Sequence, residues 1–201
     1  MAGALGERVR AKMKVELAER LYNLFVERGL ENVTAEQAAR AVGISRATFF
    51  RYFASKEDAV VTALRSFSAQ ISQLPDDLAS RPGESLLEVL RRSFDSTVQS
   101  AEQEPELLRQ RIRFIWENPN LRARWLNSRL EQQAELAQAL APFCENARQL
   151  DTSALIALAL YDRCLVRWLE SPAESLRELL DEAFDHAAMI DASWSSTRVQ
   201  I

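Results

Sequence analysis

Residues 34–53 read TAEQAARAVGISRATFFRYF, and this stretch decides the fold. Thr34 followed three residues later by Gln37 is a capping box, in which each side chain satisfies a backbone N–H that a helix start leaves orphaned. The helix it opens is short, because Gly43 supplies a residue that takes positive φ without strain. Ser45 is a second N-cap, so another short helix begins at once. Two short capped helices joined through Gly43-Ile44-Ser45 make a helix-turn-helix. Ala38, Ala39 and Ala41 are small enough for close helix approach, and Ile44 is the expected apolar plug. Leu30, Val33, Phe49 and Phe53 close a small core against a preceding helix.

Phe49 and Phe53 share one face of the second short helix (i, i+4), which turns Arg46, Ala47, Thr48, Phe50, Arg51 and Tyr52 outward or to its flanks. A DNA major groove suits that set. Arginine forks onto guanine O6 and N7, and threonine or an apolar ring meets the thymine methyl. Ser55 and Lys56 open the next helix, where N–H groups and positive charge favour phosphate; Thr34 offers the same at its own helix. A charged, solvated helical hairpin is the plainer alternative.

Working outward, glycine and proline divide the rest into helices. Apolar residues recur every three or four positions, and no stretch alternates strictly, so the fold class is all-α with about nine helices. The first runs from about Glu7 to Arg28, with a stripe of Met13, Leu17, Leu21, Leu24 and Phe25, and Gly29 ends it. A fourth follows Ser55 with Val60, Leu64, Phe67 and Ile71. After a loop with Pro75, Pro82 and Gly83, the fifth carries Leu86, Leu87, Leu90, Phe94 and Val98. Pro105 opens the sixth, and Asn118-Pro119 separates it from the seventh. The seventh has Leu121, Trp125, Leu130, Leu136 and Leu140 inward and stops or kinks at Pro142. The eighth spans about Thr152 to Glu170, and Ser171-Pro172-Ala173-Glu174 starts the ninth. Residues 1–55 form a DNA-binding domain, 56–191 a helical effector-binding and dimerisation domain, and 192–201 a polar tail.

The chain has 201 residues and a net charge of −4. That charge is unevenly placed: residues 1–60 carry 10 Lys+Arg against 8 Asp+Glu, and the remainder 15 against 21. Basic charge thus gathers where DNA reading is expected. No apolar run spans a membrane and the N-terminus lacks a signal-peptide core, so the cytoplasm is the expected address. Cys144 and Cys164 have neither metal nor redox spacing and read as buried thiols. His186 is the only histidine. No metal site, cofactor or catalytic residue is expected; an enzyme is disfavoured.

The segment from Thr34 through Phe53, with Ser55-Lys56-Glu57-Asp58, resembles the TetR family of regulators. The family pattern is a Thr-led helix, a Gly-hydrophobic-Ser turn, Thr-aromatic residues ending in Phe, then Ser-Lys-Glu. Here those places hold GIS, RATFFRYF and SKED. Phe50 stands where the family usually has Tyr, and Tyr52 where it often has His. The resemblance implies base contacts from Arg46, Ala47, Thr48 and Phe50. It implies phosphate contacts from Thr34, Ser45, Arg51, Tyr52 and Lys56. Double-stranded DNA is the implied partner, bound at a palindromic operator by a homodimeric repressor.

The eighth helix, ALIALALYDRCLVRWL from Ala154, is apolar on more than one face and wants a partner beyond its own domain. The resemblance implies that it and the ninth pair with their twofold mates. It also implies a small-molecule effector enclosed by the fifth to eighth helices, with Phe94, Phe114, Trp116, Trp125, Tyr161 and Asp162 as lining candidates. Asp162 needs a partner there, for which Arg109, Arg113 and Arg163 are the candidates. The closing segments resemble a subgroup with acyl-CoA-like effectors, some near mycofactocin genes, so the expected effector is acyl-CoA-like or hydrophobic. A constitutive or architectural DNA binder without effector, and a lipid- or acyl-CoA-binding helical module, are the competing readings.

Overall fold

A computed structural model describes residues 2–68, 85–143, 146–171 and 173–196, and every described regular element is helical. The α-helices are α1 (Ala2–Arg28), α2 (Ala35–Ala41), α3 (Arg46–Tyr52), α4 (Lys56–Ser68), α5 (Leu86–Ser93), α6 (Asp95–Gln103), α7 (Pro105–Glu117), α8 (Pro119–Leu140), α9 (Ala147–Glu170) and α10 (Leu176–Ser196). The expected fifth helix is divided into α5 and α6 at Phe94, the shared cap. The all-helical class therefore holds. The packing defines two units. The first contains α1–α4 with residues 113–128; the second contains α5, α6, residues 105–112 and 129–140, α9 and α10.

In the first unit the expected caps are all made. The Thr34 hydroxyl accepts from the Gln37 N–H at 3.2 Å while the Thr34 N–H donates to Gln37 Oε1 at 2.9 Å. The Ser45 hydroxyl accepts from the Thr48 N–H at 3.0 Å, and the Ser55 hydroxyl from the Asp58 N–H at 3.1 Å. Gly29 and Gly43 both take positive φ, 82° and 78°. A Cβ added to Gly43 would meet nothing within 4 Å. Its replacement by alanine thus costs only the left-handed backbone, about 1–2 kcal/mol, with no clash added. Urea unfolding of Gly43→Ala should show that loss; an unchanged midpoint would mean that the turn relaxes to another conformation.

The core of this unit gathers Leu17, Leu21, Tyr22 and Phe25 of α1 with Leu30, Val33, Phe49, Phe53, Val60 and Leu64. Met13, expected in the α1 stripe, is exposed. Val42 is buried and Ile44 only half-buried, so Val42 is the better filled plug of the turn. Asp58, also buried, accepts from the Ala54 N–H at 3.0 Å and from Arg124 Nε and Nη2 at 3.0 and 2.5 Å. One carboxylate thereby closes the turn before α4 and ties it to the first half of α8. Ile71, Pro75, Pro82, Gly83, Cys144 and Pro172 lie outside the described residues, as does the side chain of Phe67.

In the second unit Leu90, Phe94, Val98, Leu108, Ile112, Leu158, Tyr161, Leu165, Leu180 and Phe184 form the core. At the α8 start, which belongs to the first unit, Asn118 accepts from the Asn120 and Leu121 N–H groups; α8 ends in the second unit at Leu140, just before Pro142. Asn146 caps α9, which therefore starts five residues ahead of Thr152. No helix starts at Ser171 as expected: the Glu174 N–H donates to the Ser171 carbonyl at 3.0 Å, ahead of the helix. Glu174 is held by Arg167 and α10 begins after Ser175; it runs on past Asp191 to Ser196. Cys164 is a buried free thiol donating to the Leu179 carbonyl at 3.4 Å, and burial pushes its pKa up to about 11. A thiol so raised is a poor nucleophile at neutral pH.

Leu130, expected inward on α8, is 64% exposed. The buried face at that level carries Ser128, Arg129 and Gln132 instead. Arg129 explains the departure: it forks onto Asp162 of α9, with Nε at 3.0 and 3.1 Å from the two carboxylate oxygens. Asp162 therefore has Arg129 as its partner, in place of Arg109, Arg113 or Arg163.

Candidate nucleic-acid interface

Phe49 and Phe53 anchor α3, both essentially fully buried, and their rings meet at 5.5 Å. Residues Arg46, Ala47, Phe50 and Arg51 are exposed, and Thr48 and Tyr52 half-buried. The predicted inward and outward faces are those observed. Phe50 stands edge-on to Phe49 at 5.3 Å and carries the Arg46 guanidinium over its ring at 5.1 Å. Arg51 lies similarly over Tyr52 at 5.4 Å. Two cations stacked on aromatic faces present flat, hydrogen-bonding edges on one short helix.

The expected phosphate contacts have structural duties as well. Thr34 and Ser45 are the caps of α2 and α3, and the Ser45 hydroxyl lies 3.0 Å from that of Thr48. Lys56 Nζ donates to the Leu30 carbonyl at 2.7 Å, bracing the turn after α1. Glu36, not among the expected site residues, lies 2.9 Å from Arg46 Nε. Ten residues separate them in sequence, and only the α2–α3 turn brings them together.

The candidate effector residues fall in separate places. In the first unit Phe114 meets Tyr22 edge-on at 5.8 Å, and Trp116 meets Trp125 at 6.1 Å. In the second, Phe94 packs on Tyr161 at 5.0 Å and on Phe184 at 6.0 Å. Asp162 sits beside them, held by Arg129, whose guanidinium also lies 5.5 Å from the Tyr161 ring centroid. Burial pushes the Tyr161 phenol well above its usual pKa, against the opposing pull of Arg129, so it stays neutral. Two clefts of about 390 Å³ open in this unit. One is lined by Glu88, Arg91, Asp181 and Phe184 among others, the other by Leu86, Leu90, Ser153, Ile156 and Ala187. Among the described residues no group of three metal-ligating side chains assembles, and no helix is long and apolar enough to cross a membrane.

A capped helix-turn-helix whose second helix buries two phenylalanines and exposes arginines stacked on rings defines a DNA-binding transcriptional regulator. The chain belongs to the TetR family. Residues 19–61 match the profile of the bacterial regulatory proteins of that family, and residues 84–189 match the MftR C-terminal domain. It is 30% identical over 173 residues to MftR of Mycobacterium tuberculosis, a protein named, provisionally, as the transcriptional regulator of mycofactocin biosynthesis; the match covers 81% of this chain and 82% of that one. It is also 30% identical over 144 residues to the HTH-type transcriptional regulator TcmR of Streptomyces glaucescens, covering 68% and 62% of the two chains. Among solved structures, FadR of Thermus thermophilus, a TetR family repressor in complex with lauroyl-CoA, is 25% identical. It aligns with a TM-score of 0.57 over 86% of this chain and 91% of that one. FadR of Bacillus subtilis, solved with stearoyl-CoA, shares the fold at 14% identity and a TM-score of 0.52, over 87% and 96% of the chains. These relatives are transcriptional regulators, not enzymes.

Proposed function

We propose that this regulator is a cytoplasmic, homodimeric repressor that holds a palindromic operator through α3 and releases it when an acyl-CoA-like effector binds. The observation that carries the reading is the α3 face: Phe49 and Phe53 are spent on the core while Arg46, Ala47 and Phe50 stand exposed. Those three and Thr48 meet base edges. Thr34, Ser45, Arg51, Tyr52 and Lys56 meet phosphates. Two such helices about 34–36 Å apart reach successive major-groove turns. The pairing surface is α9 with α10, where Leu155, Ile156 and Met189 are exposed apolar residues that a twofold mate would cover.

An effector can release the operator only by binding the low-affinity state more tightly. Of the six expected lining residues, Phe94, Tyr161 and Asp162 lie together in the second unit, and an effector entering beside them is the proposed trigger. Likeness to the lauroyl-CoA-bound FadR supports an acyl-CoA. The close packing of Phe94 on Tyr161 and Phe184 favours the second reading, a constitutive binder without effector. Titrating lauroyl-CoA into the protein–operator complex, followed by fluorescence anisotropy, separates the two. Release is expected; an operator affinity unchanged at saturating lauroyl-CoA and stearoyl-CoA would refute acyl-CoA control.

A further inference from the structure

Arg46 is held on two sides. Its Nε lies 2.9 Å from Glu36 Oε1, and its guanidinium carbon 5.1 Å from the centroid of the Phe50 ring. Phe50 rests edge-on against the fully buried Phe49, so the hold is anchored in the core. The ion-paired side chains are 66% and 61% exposed, and such pairs add little to stability. Position is what this pair provides. A guanidinium carries five donors in a rigid fork. The contact with Glu36 uses Nε and leaves the Nη1–Nη2 edge as the pair that can fork onto guanine O6 and N7.

We propose that Glu36 is a positioning residue for sequence recognition, its carboxylate fixing Arg46 for a base edge and denying that arginine to the phosphates. The inference rests on the α3 reading proposed above. A loose arginine pairs with whichever phosphate is near, and that contact carries no sequence information. An arginine already facing a carboxylate gives up less to a phosphate, and the carboxylate repels the backbone as well. Discrimination of this kind needs a repulsive element beside the attractive one.

The test uses the full-length protein on three duplexes: one that it selects from a random library, the same duplex with the Arg46-dependent base pair replaced, and a random duplex. Wild type, Glu36→Gln, Arg46→Ala and the double variant are compared by anisotropy. Glu36→Gln should lower discrimination at that base pair about tenfold, roughly threefold for each of two half-sites, a modest part of what one forked contact provides. Adding it to Arg46→Ala should lower that discrimination no further, and the unfolding midpoint of Glu36→Gln should stay at the wild-type value. Equal tightening on all three duplexes in both backgrounds would reduce Glu36 to a source of repulsion and overturn the positioning role. A fall in unfolding midpoint alongside the loss of discrimination would also overturn it, making Glu36 structural. If no duplex is selected, or Arg46→Ala binds the selected one as wild type does, the α3 reading itself falls and carries this inference with it.

Discussion

Replacing Arg46 and Thr48 together with alanine should weaken operator binding by about 30-fold to 10⁴-fold while leaving the protein folded. One forked arginine–guanine contact discriminates by about 1–3 kcal/mol, and a dimer makes it twice, for about 2–6 kcal/mol. Both residues lie off the buried face of α3. The Ser45 cap survives, because the hydroxyl accepts from the backbone N–H of residue 48. Alanine is also the better helix former. Backbone-only binding should persist and keep its steep salt dependence, since the phosphate contacts proposed for Arg51 and Lys56 would remain. Anisotropy on operator and random DNA across a salt series, with circular dichroism for the fold, checks each part. A variant that still prefers operator over random DNA as wild type does would show that α3 does not read sequence.

The second large effect is on stability. Asp162→Ala should cost about 3–5 kcal/mol, because it leaves the Arg129 cation buried without its carboxylate. The side chains are only 8% and 18% exposed, so water compensates little. Against a total stability of about 5–15 kcal/mol, that is a large share. Arg129→Met with Asp162→Leu should recover most of it, since a buried pair gains little over well-packed apolar residues. Urea unfolding of the single and double variants measures both. A loss below about 1 kcal/mol for Asp162→Ala would mean that Arg129 escapes to solvent or to another acid.

The DNA-reading half was legible because its signals are local. Thr34 and Gln37, Ser45 and Thr48, and the positive φ of Gly43 act within four residues, and the i, i+4 pair Phe49 and Phe53 sets the outward face. The regulatory half is held by contacts between distant segments. Arg129 meets Asp162 across 33 positions, and hydrophobic period alone put Leu130 inside where a paired arginine belongs. The break at Phe94 has neither proline nor glycine to announce it. Met13 keeps the α1 period yet is exposed, because an apolar stripe marks which face can be buried without marking where the partner ends. Glu36 is illegible in the sequence for the same reason as Arg129. A charged residue on an outward helix face looks solvated until the turn brings its partner across.

The most direct test of paired α3 helices reading one palindrome is the binding isotherm on the selected operator, compared with one carrying five extra base pairs between its half-sites. Half a helical turn moves the second half-site to the opposite side of the duplex, so two linked reading heads lose one of their sites. Dimeric binding to the original operator, reduced at least 100-fold by the insertion, is the expected result. Equal affinity for both duplexes would contradict the dimeric regulator.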